Sequence, residues 1–436
     1  MRLEAVGPRA ASPAREGFTD TMRITIIAPL VATYEDGVYR LNANYGRLIA
    51  DLAPHFESVE VVAGRAEAGD PTYYPGGKSL YAFPLPTGNV RLASVRASTP
   101  AMPPLRKAGV WISRILPYAR AIRRADLVYI AMPGLSASLA WFLCRLARKP
   151  YVLYYGSDWQ SLAPFLTKWS GHPFWLSSYR RVAQWAEGLP VRRSLFTLAA
   201  GRHLQERLRS FGPRVFETSP MTWLRSEDFH DRKDTCQRPP ITVLSVGSLI
   251  SLKGVRNLVE AVARARGRGL DLTLVLAGPA DPIYLDLLKT LVRNLSIAPW
   301  VVFAGYISEP EALLRLYRQA DVFALATESE GFPRVLYEAM SQGLPVVATS
   351  IPAIAQSLTA GREALLVPPG SAQAMAEAIE NLVRDPELRR SVIAHGRAFA
   401  QSRIASRTTA QQILELLGEH FPPWKLSGRL EDWARE

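Results

Sequence analysis

The chain alternates short apolar runs with amphipathic helical patterns, and this alternation restricts its possible folds more than any other feature. Residues 23–28, Arg-Ile-Thr-Ile-Ile-Ala, have the continuous apolar content of a buried strand. A helical pattern follows, with Tyr45, Leu48, Ile49 and Leu52 on one face. Further strands are predicted at 59–63, 126–131 and 151–155, with a helix over 135–148. This order predicts a parallel sheet covered by helices on both faces.

The alternation starts again after residues 231–240, a polar segment closed by two prolines that has the composition of a linker. Six more strands are predicted, at 241–247, 272–278, 301–305, 322–325, 345–348 and 364–367. Gly247, Gly278 and Gly305 end three of them, at the edge where open α/β sheets bind ligands. The sequence therefore predicts an α/β fold of two doubly wound, Rossmann-like domains that face each other across a cleft.

Four parts of the chain are predicted on this basis. Residues 1–21 are expected to be a disordered leader, since they mix Pro, Gly, Ala and charges without an apolar core. Residues 22–235 form the amino-terminal domain, and residues 241–415 form the carboxyl-terminal domain. Residues 416–436 are expected to be a helical tail that packs back on the amino-terminal domain.

Positive charge is concentrated in the amino-terminal half. The 436 residues carry a net charge of +13, from 52 Lys and Arg against 39 Asp and Glu. Residues 104–125 place apolar positions at helical spacing among six Lys and Arg, with a break expected at Pro117. We weigh two interpretations equally. The stretch docks on an anionic membrane surface with Trp111 as its anchor, or it is an ordinary surface helix with solvated arginines.

The sequence lacks the features that several classes of function require. Cys144 and Cys236 cannot build a disulfide framework, and neither has partners at the spacing of a zinc site. No Asp-x-Asp triplet offers a divalent ion its oxygen ligands, so neither a metal nor a cofactor is expected. No apolar run reaches the roughly 20 residues of a membrane span. Nucleic acid is not an expected partner, because no recognition module accompanies the basic stretch.

The most informative segment is 327–348, Thr-Glu-Ser-Glu-Gly-Phe-Pro-Arg-Val-Leu-Tyr-Glu-Ala-Met-Ser-Gln-Gly-Leu-Pro-Val-Val-Ala. Pro333 is placed to begin a short helix and Gly343 to end it. The free N–H groups at the start of such a helix are a receptor for phosphate. Glu330 and Glu338 can face the same cleft and accept hydrogen bonds from sugar hydroxyls. The alternative is that both are ordinary solvated acids.

The spacing of Glu330 and Glu338, in this context, resembles the E-x7-E signature of retaining glycosyltransferases of family 4, which have the two-domain GT-B fold. Further motifs stand in that family's order and spacing, at 246–249, 253–254, 274–278, 303–307 and 365–370. The resemblance is specific over residues 241–400. Over residues 22–235 it is architectural only.

The resemblance implies a role for each matching residue. Glu338 holds the ribose of the donor, Glu330 contacts the donor sugar, and Lys253 binds the diphosphate as a catalytic cation. The other substrate-binding residues implied are Gly37, which allows close backbone approach, Ile307 beside the nucleobase, and Gly331, Phe332, Pro333, Arg334 and Val335 at the start of the helix.

Two positions depart from the family pattern. Ser248 stands where an arginine is usual, and Tyr155 stands where a histidine is common at the end of the fourth amino-terminal strand. Arg256 or Arg334 is then expected to supply positive charge for the leaving diphosphate. Tyr155 can still donate one hydrogen bond.

The implied activity is metal-independent transfer of a hexosyl group from a nucleotide-sugar to a saccharide or lipid-linked acceptor, with retention of configuration. Polysaccharide or glycolipid synthesis is the expected setting, in the cytoplasm or at the cytoplasmic face of a membrane. The acceptor is expected to approach from the amino-terminal domain. Two alternatives stay open: a catalytically weakened partner subunit, suggested by Ser248 and Tyr155, and a nucleotide-sugar epimerase or phosphorylase of the same fold.

Overall fold

The computed structural model describes residues 21–66, 70, 81–97, 104–157 and 187–421. These residues form two α/β domains, each built around a sheet of mainly parallel strands, which confirms the predicted fold class. The leader predicted over 1–21 lies outside the described residues except for Thr21, and so do residues 422–436 of the predicted tail.

The amino-terminal domain has seven parallel strands in the order β5-β3-β1-β6-β7-β8-β9. They are β1 (Arg23–Glu35), β3 (Ser58–Arg65), β5 (Val90–Arg96), β6 (Leu127–Met132), β7 (Tyr151–Tyr155), β8 (Thr197–Ala199) and β9 (Val215–Glu217). Two short strands, β2 (Val38–Leu41) and β4 (Phe83–Pro84), add an antiparallel ribbon to β1. The helices are α1 (Ala43–Leu52), α2 (Pro104–Ser113), α3 (Ile115–Arg124), α4 (Leu135–Leu146) and α5 (Arg202–Arg209).

The carboxyl-terminal domain has six parallel strands in the order β12-β11-β10-β13-β14-β15. They are β10 (Ile241–Val246), β11 (Leu272–Ala277), β12 (Val301–Gly305), β13 (Val322–Leu325), β14 (Val346–Thr349) and β15 (Leu365–Val367). Its helices are α6 (Val255–Gly267), α7 (Pro282–Asn294), α8 (Pro310–Gln319), α9 (Arg334–Ser341), α10 (Pro352–Ala355), α11 (Ala372–Arg384) and α12 (Pro386–Ser406). The chain then continues into α13 (Thr409–His420), which packs on the amino-terminal domain. No described helix has the length and apolar character needed to cross a membrane.

Strand β1 is longer than the predicted run 23–28. Its register on β3 shifts between Ile27 and Val31, and its last residues pair with β2 as a hairpin. Asp36 and Gly37 join the two strands with φ angles of 53° and 78°. Two consecutive residues with positive φ are typical of a tight hairpin turn, which favours glycine at the second position. The positive φ angle at position 37 therefore explains why this residue is glycine.

The basic stretch 104–125 forms two helices, which divide at Arg114 rather than at the predicted Pro117. Pro117 lies in the first turn of α3, where no helical hydrogen bond needs its missing N–H. The Arg114 guanidinium donates to the Arg96 carbonyl at 2.8 Å and to the Ser136 hydroxyl at 2.7 Å. Arg114 is thus bound within its own domain.

The chain first crosses between the domains before the predicted linker. Met221 packs in the amino-terminal core, whereas Leu224 packs in the carboxyl-terminal core. Segment 231–240 is held on the carboxyl-terminal domain, where the Cys236 N–H donates to the Asp321 carboxylate at 2.9 Å. The carboxyl-terminal domain binds its polar residues, since Arg389 on α12 donates to Asp234 and Arg232 donates to the Ala320 carbonyl. Linker composition alone does not distinguish this from a free connection.

The chain returns through α13, whose apolar face belongs to the amino-terminal core. The return therefore begins before residue 416. Gln412, on the buried side of this helix, is fully inaccessible to solvent. Its amide donates to the Glu217 carbonyl at 2.8 Å and accepts from the Ser219 N–H at 2.6 Å. The two crossings are thereby bonded to each other.

Replacing Gln412 by Ala should lower the free energy of unfolding by about 1–3 kcal/mol, because a buried N–H and a buried carbonyl lose their partners. Urea unfolding followed by circular dichroism measures the effect. Gln401→Ala, on the exposed side of α12, is the matched control and should change stability by less than about 0.5 kcal/mol. Equal effects of the two substitutions would contradict this role of Gln412.

Candidate active site

Strand-end glycines shape the edge of the carboxyl-terminal sheet. Gly247 and Gly278 follow β10 and β11, and Gly305 ends β12, all with positive φ. A Cβ added at Gly278 would overlap the carbonyl of Gly247. The loops after these strands can therefore pack backbone against backbone, which places half-buried Ser248 and half-buried Ile307 at one edge.

Lys253 ends a 3₁₀ turn, Ser251–Lys253, that leads into α6. Gly254 follows in the left-handed conformation with φ 61°, and an added Cβ would overlap the carbonyl of Ala326. The Glu328 N–H also donates to the Leu252 carbonyl at 3.0 Å. These contacts press the lysine turn against the loop that follows β13.

The Lys253 ammonium forms an ion pair with the Glu330 carboxylate. The Lys253 side chain is 20% exposed and that of Glu330 is 23% exposed, so both reach solvent. The structure thus brings the two predicted catalytic residues into direct contact. A cation and an anion in contact can each exchange this partner for groups of opposite charge on a ligand.

The segment that leads into α9 also contacts the amino-terminal domain. Gly331 is buried, and a Cβ there would lie 2.5 Å from the Gly156 carbonyl oxygen. The Phe332 N–H donates to the Ala200 carbonyl at 3.2 Å. Pro333 is the N-cap of α9. The predicted site residues at this helix start therefore lie where the two domains meet.

Arg334 and Val335 occupy the first turn of α9, Arg334 exposed and Val335 half-buried. Arg334 lines a small cavity together with Tyr154. Arg256, the other predicted source of charge, pairs with Glu260 on the outer side of α6 and is 70% exposed. Arg334 is therefore the better placed of the two arginines.

Glu338 is nearly enclosed in α9, with 5% of its surface exposed. Its Oε2 accepts a hydrogen bond from the Tyr317 hydroxyl at 2.8 Å. Burial raises the pKa of the Glu338 carboxyl, while hydrogen bonds from Tyr317 and Trp223 and the charge of Arg334 lower it. Tyr306, which is 39% exposed, lies close enough for the Glu338 charge to contribute to its raised pKa, although burial is the main cause.

Tyr155 does not face the cleft. Its side chain is fully buried in the amino-terminal core, and within the described residues its hydroxyl has no hydrogen-bond partner. Tyr154 lines the interdomain cavity instead. Successive side chains of a strand point to opposite faces, so a shift of one residue reverses the assignment. On this strand Tyr154, and not Tyr155, lines the small cavity between the domains, beside Phe332 and Arg334.

Tyr154, Tyr317 and Trp223 were not identified from the sequence. Tyr317 and Trp223 lie outside the motifs that point to the site. The doublet Tyr154-Tyr155 was visible, but its orientation required the register of β7. Among the residues that the structure describes, no group of three His, Cys, Asp or Glu side chains could hold a metal.

Known proteins resemble this chain in sequence and in structure. The family of glycosyl transferases group 1 matches residues 226–399, which include Lys253, Glu330 and Glu338. In structure, the fold resembles sucrose-phosphate synthase from Thermosynechococcus elongatus, with a TM-score of 0.68 and 18% identity over 92% of this chain and 99% of that one. Anabaena HepE in complex with UDP-glucose gives a TM-score of 0.64 and 18% identity over 91% and 100%. These likenesses show the GT-B fold.

In sequence, the α-D-kanosaminyltransferase of Streptomyces kanamyceticus is 26% identical over 55% of this chain and 64% of its own length. The lipopolysaccharide core biosynthesis glycosyltransferase LpsE of Rhizobium meliloti (strain 1021) is 30% identical over 42% and 51%. The match thus spans about half to two thirds of the length of these relatives. The matched region is similar to glycosyltransferases.

Replacing Glu338 by Gln should stabilise the fold more at about pH 7.5 than at about pH 4.5. The raised pKa means that the folded protein loses stability as pH rises from the ordinary glutamate range through the pKa of Glu338. Glutamine has no charge to bury, so the variant escapes that loss. Thermal unfolding at both pH values measures the difference.

Glu206→Gln is the control for this experiment, because Glu206 is exposed. It should show no comparable pH-dependent gain. If Glu338→Gln stabilised the protein equally at both pH values, the carboxyl would not be the buried acid described above.

Proposed function

We propose that the protein is a retaining glycosyltransferase that moves a hexosyl group from a nucleotide-sugar to a saccharide or lipid-linked acceptor. The observation that carries the proposal is the convergence of Lys253, Glu330 and the start of α9 at the contact between the two domains. A cation, a carboxylate and free helix N–H groups match the three polar parts of a nucleotide-sugar.

In this proposal the donor separates the ion pair. Lys253 turns to the diphosphate and stabilises the negative charge that builds up as the bond to the sugar breaks. Glu330 accepts hydrogen bonds from hydroxyls of the transferred sugar, and Glu338 accepts hydrogen bonds from those of the ribose. Ile307 lies at the strand edge proposed for the nucleobase.

The charge needed for a departing diphosphate comes from protein groups in this proposal. Lys253, Arg334 and the amino end of α9 are three positive groups at one place. Metal-independent transfer without a cofactor follows from this assignment. Ser248 can contribute one hydroxyl hydrogen bond but no charge.

The acceptor class is inferred from the relatives and the charge distribution. LpsE is named for lipopolysaccharide core synthesis, and CapM of Staphylococcus aureus, 26% identical over 38% of this chain, is named for capsular polysaccharide synthesis. We extend that setting to this protein as polysaccharide or glycolipid synthesis at the cytoplasmic face of a membrane.

Lys253→Ala should lower kcat more than it raises KM for the donor, since the ammonium is needed most when the diphosphate departs. Loss of one charge-assisted interaction costs about 1.5–3 kcal/mol, roughly tenfold to a hundredfold in rate. Release of nucleotide from UDP-, GDP- and ADP-sugars, followed by mass spectrometry, identifies the donor and gives both constants.

Lys233→Ala is the matched control, because Lys233 lies in segment 231–240, away from the cleft. It should leave both constants unchanged. An increase in KM alone for Lys253→Ala would argue for simple binding, and no turnover by the parent protein would favour a weakened partner subunit.

Membrane attachment is the second part of the proposal. On α3 and the adjacent α4, Leu116 is 56% exposed and Phe142 is 52% exposed. Arg120 and Arg123 are exposed on the same pair of helices. Within residues 104–157 the one acid is Asp126, and it is paired with Arg23. Within the part of the chain that the structure describes, Arg124 pairs with Glu60 while Arg120 and Arg123 form no ion pair, and apolar side chains beside such arginines fit an anionic bilayer.

Replacing Leu116 and Phe142 together by Ser should release the protein from vesicles that contain phosphatidylglycerol, because burial of these side chains in lipid is lost. Vesicle sedimentation at low salt measures binding. The matched control is Ile283→Ser with Leu287→Ser, on α7, where the same loss of apolar surface (76% and 61% exposed) should not matter. Equal binding by both double variants would leave α3 and α4 as ordinary surface helices.

A further inference from the structure

Two aromatic side chains from different parts of the chain lie beside the Glu338 carboxylate. Tyr317 lies near the end of α8 and donates to Oε2 at 2.8 Å. Trp223 lies in the first crossing between the domains, and its indole is close enough to lower the pKa of the Glu338 carboxyl. We infer that Tyr317 is a positioning residue that keeps this carboxylate ionised and oriented for the two hydroxyls of a ribose, and that Trp223 assists it. The inference rests on the proposed function, which places a nucleotide at Glu338.

The chemistry of a ribose requires the ionised acid. Two adjacent hydroxyls can donate two hydrogen bonds, and an ionised carboxylate accepts with both oxygens. A protonated carboxyl group keeps its own proton and loses part of that capacity. Burial alone would favour the protonated form, since only 5% of Glu338 is exposed. A site that uses Glu338 in this way therefore needs donors that favour its charge.

Tyr317 is suited to this task because its hydroxyl has one role within the described residues. Its side chain is fully buried and its ring lies 5.7 Å from that of Phe323, an arrangement that phenylalanine would also satisfy. The hydrogen bond of the hydroxyl goes to Glu338. A buried hydroxyl is costly to leave without a partner, so packing alone does not explain the choice of tyrosine.

Trp223 links the Glu338 carboxylate to the first crossing between the domains. It lies between Met221 of the amino-terminal core and Leu224 of the carboxyl-terminal core. The indole has a single donor, its ring N–H. This N–H is therefore the group through which Trp223 can act on Glu338.

The test compares Tyr317→Phe with the parent protein for binding of UDP, GDP and ADP by calorimetry, and then for the 2′,3′-dideoxy form of the nucleotide that binds. The affinity of the ribonucleotide should fall about tenfold to a hundredfold, as expected for the loss of one hydrogen bond to a charged group. The preference for the ribonucleotide over its dideoxy form should shrink by a similar factor, because the dideoxy form has no hydroxyls for Glu338 to bind.

The pH dependence provides a readout that a purely structural role would not change. Affinity should fall as pH is lowered through the pKa of Glu338, because the protonated acid accepts poorly. Removal of the Tyr317 hydroxyl raises that pKa, so the fall should begin at higher pH in the variant. In a Glu338→Gln background the pH-dependent fall should be absent, and Tyr317→Phe should add no further loss of affinity.

Tyr151→Phe is the matched control. Tyr151 is also fully buried, and its hydroxyl donates to the Pro190 carbonyl at 3.0 Å in the amino-terminal domain. It should lower thermal stability without changing nucleotide affinity. If Tyr317→Phe does not fold, Trp223→Phe is the second variant, with the same expected loss of ribose preference and the same direction of pH shift.

Nucleotide binding that is unchanged in affinity, ribose preference and pH dependence in Tyr317→Phe would overturn the inference and leave the proposed function standing. If the parent protein binds none of the three nucleoside diphosphates, the proposed function fails, and this inference fails with it.

Discussion

The candidate site depends on contacts between backbone segments that only glycine permits. Gly254 brings the turn that carries Lys253 against Ala326, and Gly331 brings the loop that carries Glu330 against Gly156 of the other domain. A methyl group at either position would separate these segments. The lysine and the carboxylate reach each other because the loops that bear them are packed this closely, and the domain contact follows from the same requirement.

Much of this arrangement could be predicted from the sequence, because strand-end glycines and a proline-initiated helix have strong local signals. Lys253, Glu330 and Glu338 lie at the predicted edge of the carboxyl-terminal sheet. The errors concern orientation and long-range pairing. Tyr155 was predicted to lie at the site, but its side chain is buried in the amino-terminal core, because the register of β7 sets which face each side chain points to. The helix break at Arg114 was missed because its hydrogen bonds go to residues distant in sequence.

The domain boundaries also could not be predicted from local sequence patterns alone. Composition correctly marks 231–240 as a segment outside strands and helices, yet Asp321 and Arg389 bind it to the carboxyl-terminal domain. The actual crossings lie after Met221 and before Ala410, and the residues that flank them, Met221, Leu224 and Ala410, are buried in the two cores. Gln412 bonds the two crossings. The two segments that join the domains are thus hydrogen-bonded to each other, which restricts how one domain can move relative to the other.

Glu338 shows how such a site departs from what stability alone would select. A carboxylate with so little exposed surface is costly to ionise, and an uncharged residue of similar size would remove that cost. The chain instead surrounds Glu338 with a tyrosine hydroxyl, an indole N–H and a nearby guanidinium, all of which favour the charged form. Three such groups, drawn from α8, α9 and the first crossing, are difficult to explain by packing. They are what a buried carboxylate requires if it must stay charged to bind a polar ligand.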